Sequence, residues 1–246
     1  MDKSKLVINT LVFIEDLKNG VPQSLIMDKL KELEIKNVEI RREFIKDFNK
    51  EVLEIKEKSK VHDMRLFYSV PEWIYEEGNL RATDIESYFK EAYEMNCNNI
   101  KMNIGEIKEV SKEDIEKING LCEKYDIRLT VENDQTAENG RSEKIYDFLT
   151  KVKNLGGNIS FTFDVGNWIF QEEDPVKNAE LLSSFVIYVH LKNIGKKRNN
   201  VLIDQGVLDI KKIVDLLPKN LPMALEYPCE TKEQLALEIT KILNLV

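Results

Sequence analysis

Four segments in the second half of the chain each carry a β-rich run onto a residue that binds protons or metals. They are "LTVEND" with Glu132, "FTFDVG" with Asp164, "IYVHLK" with His190 and "MALEYP" with Glu226. The residue just before each is apolar: Val131, Phe163, Val189 and Leu225. Side chains alternate along a strand, so the apolar residues belong on one face and the four polar ones on the other. If the runs are neighbouring strands, three carboxylates and an imidazole converge on one volume. Like charges so confined drive protons onto one another or require a cation. A divalent metal meets that requirement. One nitrogen and three oxygens suit Mn²⁺, Mg²⁺ or Co²⁺, with Zn²⁺ also admitted, and the sequence does not select among them. Each residue alone has a plainer use, and Asp164 in "DVGNW" reads equally as a turn residue. Recurrence in the same phase on four runs is what points to a shared site.

The elements that would position these groups recur at intervals of roughly thirty residues, the size of one βα unit. The β-rich runs are "KLVINTLVF", "NVEIRRE", "RLFYSVP", "NIKMNIG", "RLTVEND", "SFTFDVG", "VIYVHLKN" and "MALEYP". Amphipathic segments lie between them. Ile145, Phe148, Leu149 and Val152 share one helical face, as do Ile210, Ile213, Val214 and Leu217. "TDIE" at Thr83, "SKED" at Ser111 and "TKEQ" at Thr231 read as capping boxes. Strand and helix alternating in this number predict an α/β fold, a single (β/α)8 TIM barrel with a closed parallel sheet, spanning 1–246 as one domain. A doubly wound open sheet is the competitor. It usually opens with a glycine-rich phosphate loop, and "VINTLVFIEDLKNG" has no GxG. In a barrel, chemistry sits at the C-terminal ends of the strands, where the four residues fall.

Composition narrows the partners. The net charge of −8 argues against a dedicated DNA binder, which shows a basic excess. Cys97, Cys122 and Cys229 lack CxxC spacing, so neither a disulfide framework nor a thiolate zinc site is indicated. The apolar stretch in "MDKSKLVINTLVFIED" is too short for a membrane span and lacks a small-residue cleavage site. A cytoplasmic setting is expected, in keeping with free thiols. The expected partner is a small carbohydrate, with no nucleic acid or membrane; a homodimer is left open.

From "VEIRRE" through "VENDQT", "FDVGN" and "HLKN" to "LEYP", essentially the whole chain resembles the xylose-isomerase-like barrels. That superfamily includes sugar-phosphate isomerases and epimerases, ketose 3-epimerases, inosose isomerases and dehydratases, and DNA apurinic-site endonucleases. The Glu–Asp–His–Glu order on strands five to eight is the most specific part. The resemblance implies that Glu132, Asp164, His190 and Glu226 hold one divalent metal. As in the epimerase branch, Glu132 and Glu226 would also be the catalytic acid–base pair. The implied activity is a metal-dependent isomerase or epimerase of a small sugar, polyol or sugar phosphate. It would abstract a proton next to a carbonyl, giving a metal-bound enediolate. A dehydratase of an inosose- or dehydroshikimate-like substrate is the alternative on the same site, and a non-enzymatic sugar-binding module is a third reading.

Two positions depart from the pattern. Ketose epimerases of this family commonly carry a histidine three residues after the strand-six aspartate. Here that position is Asn167, which can hydrogen-bond a hydroxyl but does not titrate. Asn193 stands where many relatives have Asp. The endonuclease branch uses several histidines in a trinuclear zinc site, whereas this chain has only His62 and His190. His62 is expected towards the opposite end of the barrel.

Further candidates for substrate contact follow from phase and place. Glu39, Arg41 and Glu43 alternate, so Arg41 either forks onto a substrate carboxylate or phosphate, with Glu43 beside it, or pairs with glutamates inside the barrel. Lys192, two residues past His190, is a candidate donor to a substrate oxygen. Lys196 and Arg198 in "GKKRNN" are candidates for a terminal phosphate or carboxylate, although such a run is usually a solvated loop. Trp168 and Phe170, with Trp73 and Tyr68, are candidates to pack on a sugar or cover the mouth. Lys101 and Asn103 share one phase, and Lys101 is read as structural. Gly206 is read as permitting close backbone approach. Cys229 lacks a second histidine to activate it.

Overall fold

Strands β1 (Leu6–Asn9), β2 (Asn37–Arg41), β3 (Arg65–Glu76) and β4 (Cys97–Gly105) pair in parallel, each with the next. Strands β5 (Arg128–Glu132), β6 (Ser160–Asp164), β7 (Val186–Leu191) and β8 (Met223–Leu225) continue the series, and β8 pairs with β1. The sheet therefore closes, and the expected (β/α)8 barrel is the fold observed in this computed structural model, which describes residues 2–245. Closure removes the sheet edges and leaves two surfaces, the barrel interior and the outer face under the helices.

The principal helices are α1 (Gln23–Glu32), α2 (Phe48–His62), α3 (Ala82–Met95), α4 (Lys112–Tyr125), α5 (Ser142–Asn154), α6 (Pro175–Leu182), α7 (Ile210–Asp215) and α8 (Lys232–Leu245). The helical faces read from spacing are the buried ones: Ile145, Phe148, Leu149 and Val152 on α5 all lie in the core. Burying each such side chain contributes about 1.5–3 kcal/mol. Ser111 Oγ accepts the Asp114 N–H at 3.1 Å, and Thr231 Oγ1 accepts that of Gln234 at 3.1 Å, as their motifs predict. Thr83 departs from expectation, because it lies inside α3 and Arg81 is the cap residue. The Arg81 guanidinium is held by Glu72 and Asp84, each at 3.1 Å, and this tertiary clamp sets where the helix begins.

β3 runs past Pro71, where the sequence suggested its end. Its register against β4 shifts between Ser69 and Trp73, and its tip forms a hairpin with Asn79–Leu80. A proline has no N–H for the ladder, so the irregularity falls beside it.

Inside the barrel, Val7, Phe67, Tyr188 and Ala224 form a small apolar cluster separate from the main core. The Phe67 and Tyr188 rings stack at 4.8 Å across the lumen. These residues precede Asn9, Ser69, His190 and Glu226 by one interior step, so they form the floor beneath the strand ends. Among the described residues no helix is long and apolar enough to cross a membrane.

Candidate metal centre

Register brings the four strand-end residues together. Asp164 lies opposite His190, which in turn lies opposite Ala224, two residues before Glu226. One ligand-type atom from each of Glu132, Asp164, His190 and Glu226 falls within 4.8 Å of the others, and all four residues are buried. His190 Nδ1 is 2.5 Å from Glu132 Oε1 and 3.2 Å from Glu226 Oε2. Its other ring nitrogen, Nε2, is 3.0 Å from Glu39 Oε2.

Asp164 makes the turn its sequence suggested and still presents one oxygen to the cluster. Oδ1 accepts the backbone N–H groups of Gly166 at 2.9 Å and Asn167 at 2.8 Å, a turn that steers the chain off β6. Oδ2 is left facing the centre. The Asn133 side chain grips the Asp164 backbone on both sides, accepting its N–H at 2.9 Å and donating to its carbonyl at 3.0 Å. The carboxylate is thereby fixed by two strands.

Three cationic side chains enter the same volume. Lys101 Nζ is 2.5 Å from Glu132 Oε2. Lys192 Nζ is 2.6 Å from Asp164 Oδ2 and 3.1 Å from Glu226 Oε2. Arg41 places Nη1 2.7 Å from Glu226 Oε1 and its Nε 2.8 Å from Glu43 Oε1. Electrostatics follow from these distances. Burial raises the Asp164 carboxyl, and Lys192 recovers only part of this against Glu226 and Glu132, leaving it at about 7. Burial also opposes ionisation of Glu132, but Lys101 and then His190 outweigh it and bring the carboxyl down to about 2. Glu226 is held well below the usual range despite burial, by His190 and Lys192. Burial would lower His190, yet Glu226, Glu39 and Glu132 hold it well above its ordinary value.

The donor set fits a metal ion by a direct observation. Glu132 Oε1, Asp164 Oδ2 and His190 Nδ1 are buried and have no hydrogen-bond partner, although charged neighbours lie close. Their contacts are ionic ones, Glu132 Oε1 to His190 Nδ1 at 2.5 Å and Asp164 Oδ2 to Lys192 at 2.6 Å, and a dication among them would give all three a ligand bond. A histidine nitrogen with carboxylate oxygens is a donor set for a hard or borderline divalent ion.

The other candidates divide. Lys192 and Arg41 reach the cluster, and Arg41 adopts the internal ion pair, with Glu43 as its partner nearer solvent. Asn167 lies beside Asp164 with its side chain engaged: Nδ2 donates to the Asn133 carbonyl at 2.8 Å and Oδ1 accepts from Gln135 at 3.3 Å. Trp168 is a correction. It is fully buried against Phe161 and Phe163, ring centroids 6.4 and 5.5 Å away, on the helix-facing side of β6. The 3-10 turn Asn167–Gln171 breaks the strand alternation and swings the indole out of the mouth, so it cannot contact a substrate there. Arg198 lies apart from the cluster. It sits in a left-handed turn at the tip of the Asn193–Ile194/Asn200–Val201 hairpin and pairs with Glu172 at 3.0 Å, so it does not join the cluster. Tyr68 faces α3, its hydroxyl donating to Glu91 at 2.6 Å. Trp73 lies on the β3 extension over Gly105, where any Cβ would overlap it. His62 pairs with Asp28 at 2.6 Å outside the cluster.

Several participants were not assigned from the sequence. Lys101 is the ion partner of Glu132, and its shared phase with Asn103 was the available sign. Asn9, at the end of β1, donates to Glu39 at 2.8 Å and to Glu226 at 3.2 Å. The tight approach expected at Gly206 is made by the Asn193 side chain. Asn193 Nδ2 donates to Ile203 O at 2.8 Å, and its Oδ1 accepts the Leu208 N–H at 3.1 Å, so it staples this loop.

No family profile and no curated relative matches the sequence. Solved structures match it in fold. A xylose isomerase domain containing protein from Salmonella typhimurium LT2 superposes with a TM-score of 0.73 at 14% identity, over 100% of this chain and 98% of that one. The probable 3-DHS dehydratase from Bacillus anthracis gives 0.71 at 16%, over 98% and 99%. A D-psicose 3-epimerase from Clostridium cellulolyticum H10, solved with D-tagatose, gives 0.68 at 14%, over 98% and 97%. The likeness at these identities is one of fold, the (β/α)8 barrel.

Proposed function

We propose that this chain is a divalent-metal-dependent isomerase or epimerase of a small sugar, polyol or sugar phosphate. The observation that carries the reading is the convergence of Glu132 Oε1, Asp164 Oδ2 and His190 Nδ1, buried and without hydrogen bonds, beside Glu226. Glu132, Asp164, His190 and Glu226 would hold the ion. When bound, it supplies Lewis acidity toward carbonyl and hydroxyl oxygens and offsets the negative charge that develops as a C–H proton leaves.

The chain's own groups then divide the work. Glu132 and Glu226 approach from β5 and β8, with two strands between them, so one can take a carbon-bound proton and the other return one. Lys101 keeps Glu132 in its basic form at neutral pH. Lys192 is placed to donate to a substrate oxygen once it leaves Asp164. The Phe67–Tyr188 floor closes the lumen below and limits access of water from that side. A dehydratase is the second reading, and the buried Lys192 ammonium favours it. The same proton abstraction would be followed by cleavage of the β C–O bond, with Lys192 giving a proton to the departing oxygen so that it leaves as water and the abstracted proton on the glutamate restoring the balance.

The test is carbon-bound proton exchange in D2O, followed by NMR, over ketoses, inososes and sugar phosphates with Mn²⁺, Mg²⁺, Co²⁺ or Zn²⁺. Exchange that Glu226→Gln abolishes while metal content is largely retained supports the isomerase reading. A conjugated product absorbing in the ultraviolet favours the dehydratase. Stoichiometric metal with neither signal for any substrate overturns both.

A further inference from the structure

Glu39 leaves the interior face of β2 and is fully buried. Its carboxylate is surrounded by donors. Asn9 Nδ2 donates to Oε2 at 2.8 Å and Tyr188 OH donates to Oε2 at 3.1 Å. His190 Nε2 lies 3.2 Å from Oε1 and 3.0 Å from Oε2. The Asn9 amide is fixed in this sense, because its Oδ1 already accepts the Leu11 N–H at 2.9 Å. Both ring nitrogens face carboxylates, Nε2 towards Glu39 and Nδ1 towards Glu132 and Glu226; with a cation on the Nδ1 side, the single proton of the neutral ring falls on Nε2, where Glu39 accepts it. That leaves the Nδ1 lone pair on the side of Glu132 and Glu226.

We infer that Glu39 is a positioning residue that sets the tautomer and ring orientation of His190, so that Nδ1 is the metal-binding nitrogen; this rests on the metal reading above. The two ring nitrogens of a histidine are distinct, and the hydrogen bond made by one decides the role of the other. A carboxylate behind a ligating histidine also raises its basicity. Glu39 is itself held in place. Asn9, which grips it, also donates to Glu226 Oε1 at 3.2 Å, and Tyr188 is stacked on Phe67. The Tyr188 ring meets the His190 ring edge-on at 5.0 Å, which restricts ring rotation. One carboxylate on β2 thus couples the floor of the barrel to a ligand on β7.

The experiment uses ¹⁵N-histidine-labelled protein titrated with Zn²⁺, a diamagnetic probe. With only two histidines in the chain, His62→Gln assigns the ring signals. The expected spectrum shows His190 coordinated through Nδ1 and protonated on Nε2. Coordination through Nε2 overturns the inference, and this reading needs no altered site residue. Glu39→Gln sets an amide N–H against these donors and is expected to weaken Zn²⁺ affinity about 10–100-fold. Unchanged affinity with an unchanged Nδ1 signature in that variant also overturns it. If the wild type binds neither Zn²⁺ nor Mn²⁺, the metal reading itself falls, an outcome distinct from binding through the wrong nitrogen. Should Glu39→Gln not fold, the wild-type spectrum still decides.

Discussion

Lys192 Nζ lies 2.6 Å from Asp164 Oδ2, the oxygen that the β6 turn leaves facing the centre. The same ammonium is 3.1 Å from Glu226 Oε2. The chain therefore carries a cation of its own on two of the four residues that would hold a metal. Its stem passes through a gap left by a missing side chain, since a Cβ on Gly166 would fall 2.7 Å from Lys192 Cγ. Loading with a dication requires this ammonium to give up Asp164.

Lys192→Met is accordingly expected to tighten Mn²⁺ binding. The thioether keeps much of the stem's bulk and removes the rival charge. Lys192 donates a charge-assisted hydrogen bond to Glu226 Oε2 at 3.1 Å, a bond of a kind that contributes about 1.5–3 kcal/mol, so a gain of about tenfold or more is expected in a calorimetric titration. Turnover should fall in the same variant, because the donor to substrate is lost. Equal or weaker Mn²⁺ affinity would show that Lys192 does not compete for the site.

Metal affinity should also depend on pH in a definite sense. In the metal-free protein the Asp164 carboxyl sits at about 7, raised first by burial. A metal needs the ionised form. Below about pH 7 a proton must be expelled from Asp164, so apparent affinity falls by about tenfold per pH unit for that group; above it this contribution vanishes. His190, held well above its ordinary value, adds a proton to be released in the same direction. Glu132 and Glu226, both depressed, add none near neutrality. Mn²⁺ titrations between about pH 5.5 and 8, with proton release measured alongside, check this. An affinity flat across the range would contradict it.

What the sequence could disclose here depended on whether partners were local. Glu132, Asp164, His190 and Glu226 were legible because strand alternation has a period of two and their preceding neighbours are apolar. Trp168 was misplaced because the period stops at Gly166, and counting on through the 3-10 turn assigns the wrong face. Thr83 looked like a cap by motif, but Arg81 gained that position through Glu72, nine residues away. β3 was cut short at Pro71 because its continuation depends on a bulge and on the Asn79–Leu80 hairpin. The charge on Lys101 was plain, whereas its partner Glu132 lies 31 residues further on, across a strand boundary. Arg41 could be read as an interior partner because Glu39 and Glu43 flank it two residues away, whereas its contact with Glu226 and that of Lys101 with Glu132 needed closure to set the register.

Gly166→Ala separates packing from backbone strain. Gly166 has φ −89°, which any residue adopts, so the added methyl acts only through contact. It would meet Lys192 Cγ at 2.7 Å and the Ile194 side chain at 3.1 and 3.2 Å. Overpacking of this order costs about 1–3 kcal/mol, and it should displace the Lys192 stem. Lys192→Ala removes the clashing Cγ, so adding it to Gly166→Ala should recover part of the loss in chemical unfolding. Strict additivity of the two changes would deny the contact.

Lys101→Met should unfold more readily, by an amount that depends on pH. Lys101 is 3% exposed, and its loss leaves Glu132 buried with a diminished set of cations. Breaking such a pair costs about 3–5 kcal/mol when the remaining charge is kept, and less when the carboxyl can take up a proton. Lys101 is the leading attraction behind the fall of the Glu132 carboxyl from 4.5 to about 2. A depressed carboxyl stabilises the fold above its unfolded value and loses that contribution as pH falls through its folded one. The wild type thus loses this advantage between 4.5 and about 2, whereas Met at position 101 never confers it. The stability gap in urea should therefore be widest near neutral pH and should narrow on acidification. Mn²⁺ at saturation should narrow it too, by restoring positive charge beside Glu132 in both proteins. A gap that widened on acidification would place the stabilising partner of Glu132 elsewhere than Lys101.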